Sequence, residues 1–161
     1  MSGPDAVATL LAVEEIKRLK ARYFHAVDDK DWPTLAALFT PDAVVDFSAE
    51  ASHYIGHIGF TDADAERKRA IVRGGAAAAA RIRGSVGHIS TVHHGHDPII
   101  DIDSLDSAHG LWSMYDRLEY SDEVFEGYGY YRESYVRIDG DWLITSLRLD
   151  RLKVVWTRSQ R

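Results

Sequence analysis

Three histidines crowd one short stretch, TVHHGHD at Thr91–Asp97, and acids gather where an earlier amphipathic segment ends, at Asp28, Asp29 and Asp31. A neutral imidazole is the usual proton acceptor at physiological pH. A carboxylate bonded to its far nitrogen fixes the tautomer and steadies the imidazolium that forms. An acid at a helix end and a histidine on a later strand can therefore meet in a pocket and act as a general base. The residues alone leave other pairings open. Asp28 could bond His25, three positions back on the same helical face. On a regular strand His94 and His96 share one face and His93 points to the other, and H-x-H on a strand is how some metal sites begin. No third ligand stands at convincing spacing downstream, so the expectation is a site with no metal and no cofactor. Gly95 could mark a bulge that changes which histidines face inward.

The elements that must position these groups are legible in outline. Ile16, Leu19, Tyr23 and Val27 recur at helical spacing, with Glu14, Lys17, Arg18 and Arg22 largely elsewhere, so Ala6 to Val27 reads as one long helix. Ser2 or Asp5 is placed to cap its start, with Pro4 near the first turn. Asp31 then caps a short helix opened by Trp32-Pro33 and running to Phe39, and Ala43 to Phe47 reads as a strand. Thr61 to Arg83, rich in alanine and charge, should be helical with a break at Gly74-Gly75. Four strand-like runs follow, about 87–102, 108–120, 125–138 and 142–156, the last two joined by the Asp139-Gly140 turn. Helices first and a long antiparallel meander after them mean an α+β domain, not a βαβ repeat. A sheet of such long strands must twist, and helices across its concave face would close a conical cavity.

The 161 residues fit one domain, 1–161, with no repeat or linker. A net charge of −6 argues against nucleic acid and gives no polybasic patch for a membrane surface. With no cysteine there is no disulfide, thiolate nucleophile or cysteine-bound zinc. No signal-peptide pattern and no membrane-length apolar run is visible, so the expected location is cytoplasmic.

With YFHAVDDKDWPTLAALFTPDAVVDF near the front and RIDGDWLITSLRL near the end, the chain resembles the nuclear-transport-factor-like α+β cone, and within it the scytalone dehydratase and SnoaL-like branch. The most specific pieces are D-x-K-D-W at Asp28 to Trp32, T-x-H at Thr91 to His93 and D-G-x-W at Asp139 to Trp142. The resemblance implies that Asp28 bonds His93. It places Tyr23 in the pocket, although a core tyrosine is the plainer reading of its spacing, and it puts an inward acid near Asp116, in line with Trp112 and Met114. It departs from the dehydratase pattern at Val27, where a tyrosine would stand, and near Trp112, which replaces a second histidine.

These implications give a catalytic set of His93, Asp28 and Tyr23, with Trp112, Asp116 and Tyr131 as substrate-binding candidates. The expected activity is that of a cofactor-independent dehydratase or isomerase acting on a small hydrophobic cyclic carbonyl compound. A second reading is a non-catalytic small subunit of the kind found in aromatic-ring-hydroxylating dioxygenases, and a third a plain ligand-binding module. The family also implies a homodimer or homotrimer through the outer sheet face. Among the remaining polar residues, Arg132, Glu133 and Arg148 read most simply as a surface ladder. His25, His53, His57, His88 and His109 read as surface or loop residues.

Overall fold

The computed structural model describes residues 5–159. Helix α1, Ala6–Asp28, starts where the Asp5 carboxylate accepts the Val7 N–H, satisfying one of the donors a helix start leaves unpaired. Ser2 and Pro4 lie outside the described residues. Its apolar face buries Ile16, Leu19, Tyr23 and Val27, as the spacing predicts. Helix α2, Trp32–Ala37, is capped by Asp31, whose carboxylate accepts from the Thr34 N–H at 3.1 Å. Strand β1 begins earlier than the sequence suggests, at Phe39–Asp46, and a 3-10 turn at Ser48–Tyr54 follows it.

The alanine-rich middle is two helices. Helix α3, Asp62–Arg69, opens on a capping box between Thr61 and Asp64. After the short strand β2, Val72–Arg73, helix α4 runs over Gly75–Val86, so the Gly-Gly break falls at its start. The meander is β3, Ser90–Ile102, β4, Ser107–Glu119, β5, Glu123–Ile138, and β6, Asp141–Arg158.

The sheet order is β2-β1-β6-β5-β4-β3, with β1 parallel to β6 and every other pair antiparallel. Register shifts interrupt β3 between His96 and Ile99 and β5 at Tyr128/Gly129 and Ser134/Tyr135. Such irregularities bend strands and raise the local twist, which gives a curved α+β sheet. Its inward positions carry Trp112, Met114, Tyr131, Tyr135, Ile144, Leu147 and Leu149, in one buried cluster with the inner face of α1. Among the described residues no helix is long and apolar enough to cross a membrane.

Candidate active site

Helix α1 ends in a turn that aims two side chains at β3. Lys30 takes a positive φ of 63°, and the Asp31 N–H reaches back to the Ala26 carbonyl at 2.8 Å. A left-handed residue closing a helix is normally glycine, and here it is a lysine whose ammonium donates to Thr91 Oγ1 at 2.8 Å. The Thr91 hydroxyl donates in turn to Asp28 Oδ1 at 2.8 Å. Oδ1 also lies 2.6 Å from His93 Nδ1, and the His93 backbone N–H donates to Oδ2 at 2.9 Å. Asp28 thus bonds His93, and the pairing is within hydrogen-bond reach. Burial pushes the Asp28 carboxyl up, but the His93 ring and N–H and the Thr91 hydroxyl outweigh it and hold the group below the usual carboxylate range.

Gly95 permits this approach. A Cβ at that position would stand 2.5 Å from Phe24 Cε2, inside the contact distance of real side chains, so the bare strand lets α1 lie close enough for Asp28 to reach. The irregularity in β3 lies beyond Gly95, after His96. His93 therefore faces inward, its side chain 8% exposed, while His94 and His96 point outward and are exposed. Among the described residues no group of three or more His, Cys, Asp or Glu side chains is placed to hold a metal ion.

The other face of the imidazole looks into a hollow of about 60 Å3 whose walls include Tyr23, Tyr54, Tyr131, Asp116, Leu149 and Arg151. His93 Nε2 is 3.9 Å from Asp116 Oδ2. Asp116 is buried and clamped by Arg151, whose Nη1 and Nη2 donate to Oδ1 and Oδ2 at 2.6 and 2.7 Å. Arg151 also donates through Nε and Nη2 to Glu50 at 2.7 and 3.0 Å. Such forked, charge-assisted pairs are strong and fix orientation. Burial alone would raise Glu50, yet Arg151 holds it below its ordinary range; burial opposes the Arg151 charge, and the two carboxylates raise its pKa well above the usual value. Burial keeps the Tyr23, Tyr54 and Tyr131 hydroxyls protonated far above neutrality, so each can donate to an oxygen that gains charge.

Five of the six residues singled out from sequence therefore meet at one hollow: His93, Asp28 through its bond to His93, Tyr23, Asp116 and Tyr131. Trp112 lies outside this hollow. It is buried at the far side of Gly95, donates from Nε1 to the Tyr135 hydroxyl at 2.9 Å and lines an adjoining groove with Phe24, Asp28 and His93. Arg132 and Arg148 do form an outer ladder, both on Asp150, but Glu133 departs from it. Glu133 is 3% exposed and bonds Lys20 inside the core. Sequence reasoning missed Arg151, Glu50, Thr91 as an Asp28 ligand, and Lys30. Arg151 had a signal, since Leu147, Leu149 and Arg151 alternate in phase on β6.

Residues 8–148 match the SnoaL-like domain. The chain belongs to this SnoaL-like family. Its fold is shared with a candidate scytalone dehydratase from Novosphingobium aromaticivorans DSM 12444, 22% identical over 94% of this chain and 91% of the other, with a TM-score of 0.75. The LinA-type3 hexachlorocyclohexane dehydrochlorinase of Novosphingobium barchaimii LL02 is similar at 18% identity, covering 95% and 94% of the two chains, with a TM-score of 0.73. A candidate aromatic ring hydroxylase from Novosphingobium aromaticivorans reaches 0.69 at 22% identity, over 90% and 91%. At these identities the likeness concerns the fold. It sets this SnoaL-like chain in the nuclear-transport-factor-like cone, as the sequence motifs imply.

Proposed function

We propose that this SnoaL-like protein is a cofactor-independent lyase or isomerase for a small hydrophobic, cyclic carbonyl compound. The observation that carries the reading is the 2.6 Å contact of Asp28 with His93 Nδ1, which leaves Nε2 turned toward a tyrosine-walled hollow. His93 Nε2 removes a proton alpha to the carbonyl, and the electron pair moves into an enolate. A Tyr23 hydroxyl, kept protonated by burial, stabilises the developing oxygen charge. The imidazolium is flanked by Asp28 at Nδ1 and by the Asp116 carboxylate near Nε2. Collapse of the enolate then expels a β-leaving group, with the His93 proton returned to a departing hydroxide as water, or the proton returns to another carbon to give an isomer. Elimination is favoured by the likeness to proteins named for loss of water and of hydrogen chloride. Self-association through the outer sheet face, where Val92, Ile99 and Tyr128 are exposed, is part of the same proposal.

The test is a panel of cyclic β-hydroxy ketones followed by NMR in deuterium oxide, which reads exchange at the alpha carbon as well as product. His93→Asn should cut exchange and turnover by roughly 10²–10⁴-fold, the usual contribution of a positioned general base, with the melting temperature little changed. Full activity in that variant would remove the catalytic reading and leave the ligand-binding or subunit role.

A further inference from the structure

The hollow opens between α3 and α4 into a wider vestibule of about 420 Å3, within the range of small-molecule sites. Tyr54, Lys68, Arg81 and Ser85 line both spaces. The vestibule's apolar wall is aromatic: Phe60 and Tyr120 line it, and Tyr54 stacks on Phe125 at 5.2 Å between centroids. Its charged wall is unbalanced. Arg67 is paired with Asp64, but neither Lys68 nor Arg81 has a carboxylate within 4.0 Å among the described residues. Arg81 makes one long bond, 3.4 Å, to the Ala70 carbonyl, and Lys68 sits over the Tyr54 ring at 4.4 Å. Glu50 is the acid whose field Lys68 feels most, yet both Glu50 oxygens already accept from Arg151. Counting the groups that face this passage, Glu50 and Asp116 oppose Arg151, Lys68 and Arg81, with His88 at the rim, so one positive charge is left over.

We propose that Lys68 and Arg81 bind a carboxylate carried by the substrate, while the rings of the vestibule hold its apolar body and direct the far end toward His93. This rests on the reading of the inner hollow as the reaction site, and it narrows the substrate class to cyclic carbonyl compounds bearing an acid group. Two cations flanking an apolar slot suit an arene or alicyclic carboxylate, because a charge-assisted bond in a partly desolvated mouth exceeds what a neutral amide gains there. The field at the mouth is set by Asp64, Arg67 and Lys68 on α3, by Arg81 on α4 and His88 just after it, with Glu50, Asp116 and Arg151 below.

The experiment is titration calorimetry with 2-naphthoate and 2-naphthamide, which share a shape and differ in charge. The wild-type protein should bind the acid about tenfold or more tightly than the amide, with affinity falling as salt rises. K68M and R81M should each weaken naphthoate by about tenfold and leave naphthamide unchanged, with thermal unfolding confirming that both variants are folded. Equal affinity for the two probes, no binding of either, or an undiminished naphthoate affinity in both K68M and R81M would overturn the anion site. The two readings fail separately. Charge-selective binding without His93-dependent turnover of any acidic ketone sinks the catalytic reading alone, and His93-dependent turnover of neutral ketones only sinks the anion site alone.

Discussion

Two sets of charged side chains are buried on the concave side of this sheet, and they end differently. In the first, Arg151 spreads four hydrogen bonds over Asp116 and Glu50, and the far side of Asp116 faces His93 across 3.9 Å. In the second, Lys20 bonds Glu133, with its ammonium held 3.6 Å from the centre of the Tyr131 ring and 4.0 Å from that of Tyr23. The other Glu133 oxygen accepts from the Tyr135 hydroxyl at 2.5 Å, which accepts in turn from Trp112. Burial pulls the Lys20 ammonium down and Glu133 resists it. The first network lines the hollow and the second does not. A charge beside a cavity can answer a proton moving in that cavity. A charge sealed between rings can only hold the rings in place, and the rings it holds, Tyr23 and Tyr131, are walls of the same hollow.

Deleting one partner in either network strands a buried charge, which typically costs about 3–5 kcal/mol. Arg151→Met strands two carboxylates and should be the most damaging single change. Lys20→Met strands one and should fall within that range by urea unfolding. The comparison is sharpened by removing whole networks. Lys20→Met with Glu133→Leu should recover most of the lost stability and keep activity, because well-packed apolar groups can replace a sealed pair. Arg151→Met with Asp116→Leu and Glu50→Leu should recover folding but not turnover. Equal turnover in the two combined variants would erase the distinction between the networks.

Gly127 tests the open network more gently. A Cβ there would lie 2.1 Å from Arg151 Nη1 and 2.5 Å from Asp116 Oδ1, so Gly127→Ala must push the bridge aside. Both atoms are side-chain ends, and the cost should be that of modest overpacking, about 1–3 kcal/mol. Activity should fall further than stability, since the shifted acid is the one facing His93. A crystal structure of the variant with the Arg151–Asp116 fork undisturbed would contradict this.

How much of this was legible beforehand depends on the kind of signal. Helix α1 and the four long strands carry periodic apolar patterns, and their bounds moved by only a few residues. Asp28 and His93 were readable as types able to form a base, and the family motifs paired them. Glu133 misled because a charged strand residue is normally solvated, and only the Lys20 ammonium arriving from α1 makes its burial tolerable. Trp112 shares the inward phase of Met114 and Asp116, but phase gives a face of the sheet and not a position along it. Lys30 was hidden because a lysine with positive φ has no sequence signature of the kind glycine supplies.

The smallest expected effect is on acid stability, and it again separates the networks. Asp28 and Glu50 both have carboxyls held below their ordinary range in the folded protein. The unfolded chain therefore binds more protons than the folded one wherever pH lies between the two values. Their contribution is fully present above the unfolded carboxylate values, near pH 4, and is lost as pH falls through the lower folded values. Thermal unfolding between pH 6 and pH 3 should show this loss, at most about 1.4 kcal/mol for each unit by which one group is displaced. Lys20→Met with Glu133→Leu should leave that slope in place, because Asp28 and Glu50 are untouched. Arg151→Met with Asp116→Leu and Glu50→Leu should flatten it by the part owed to Glu50. If the slope instead followed the sealed pair, the acid-sensitive charges would lie in the core and not at the site.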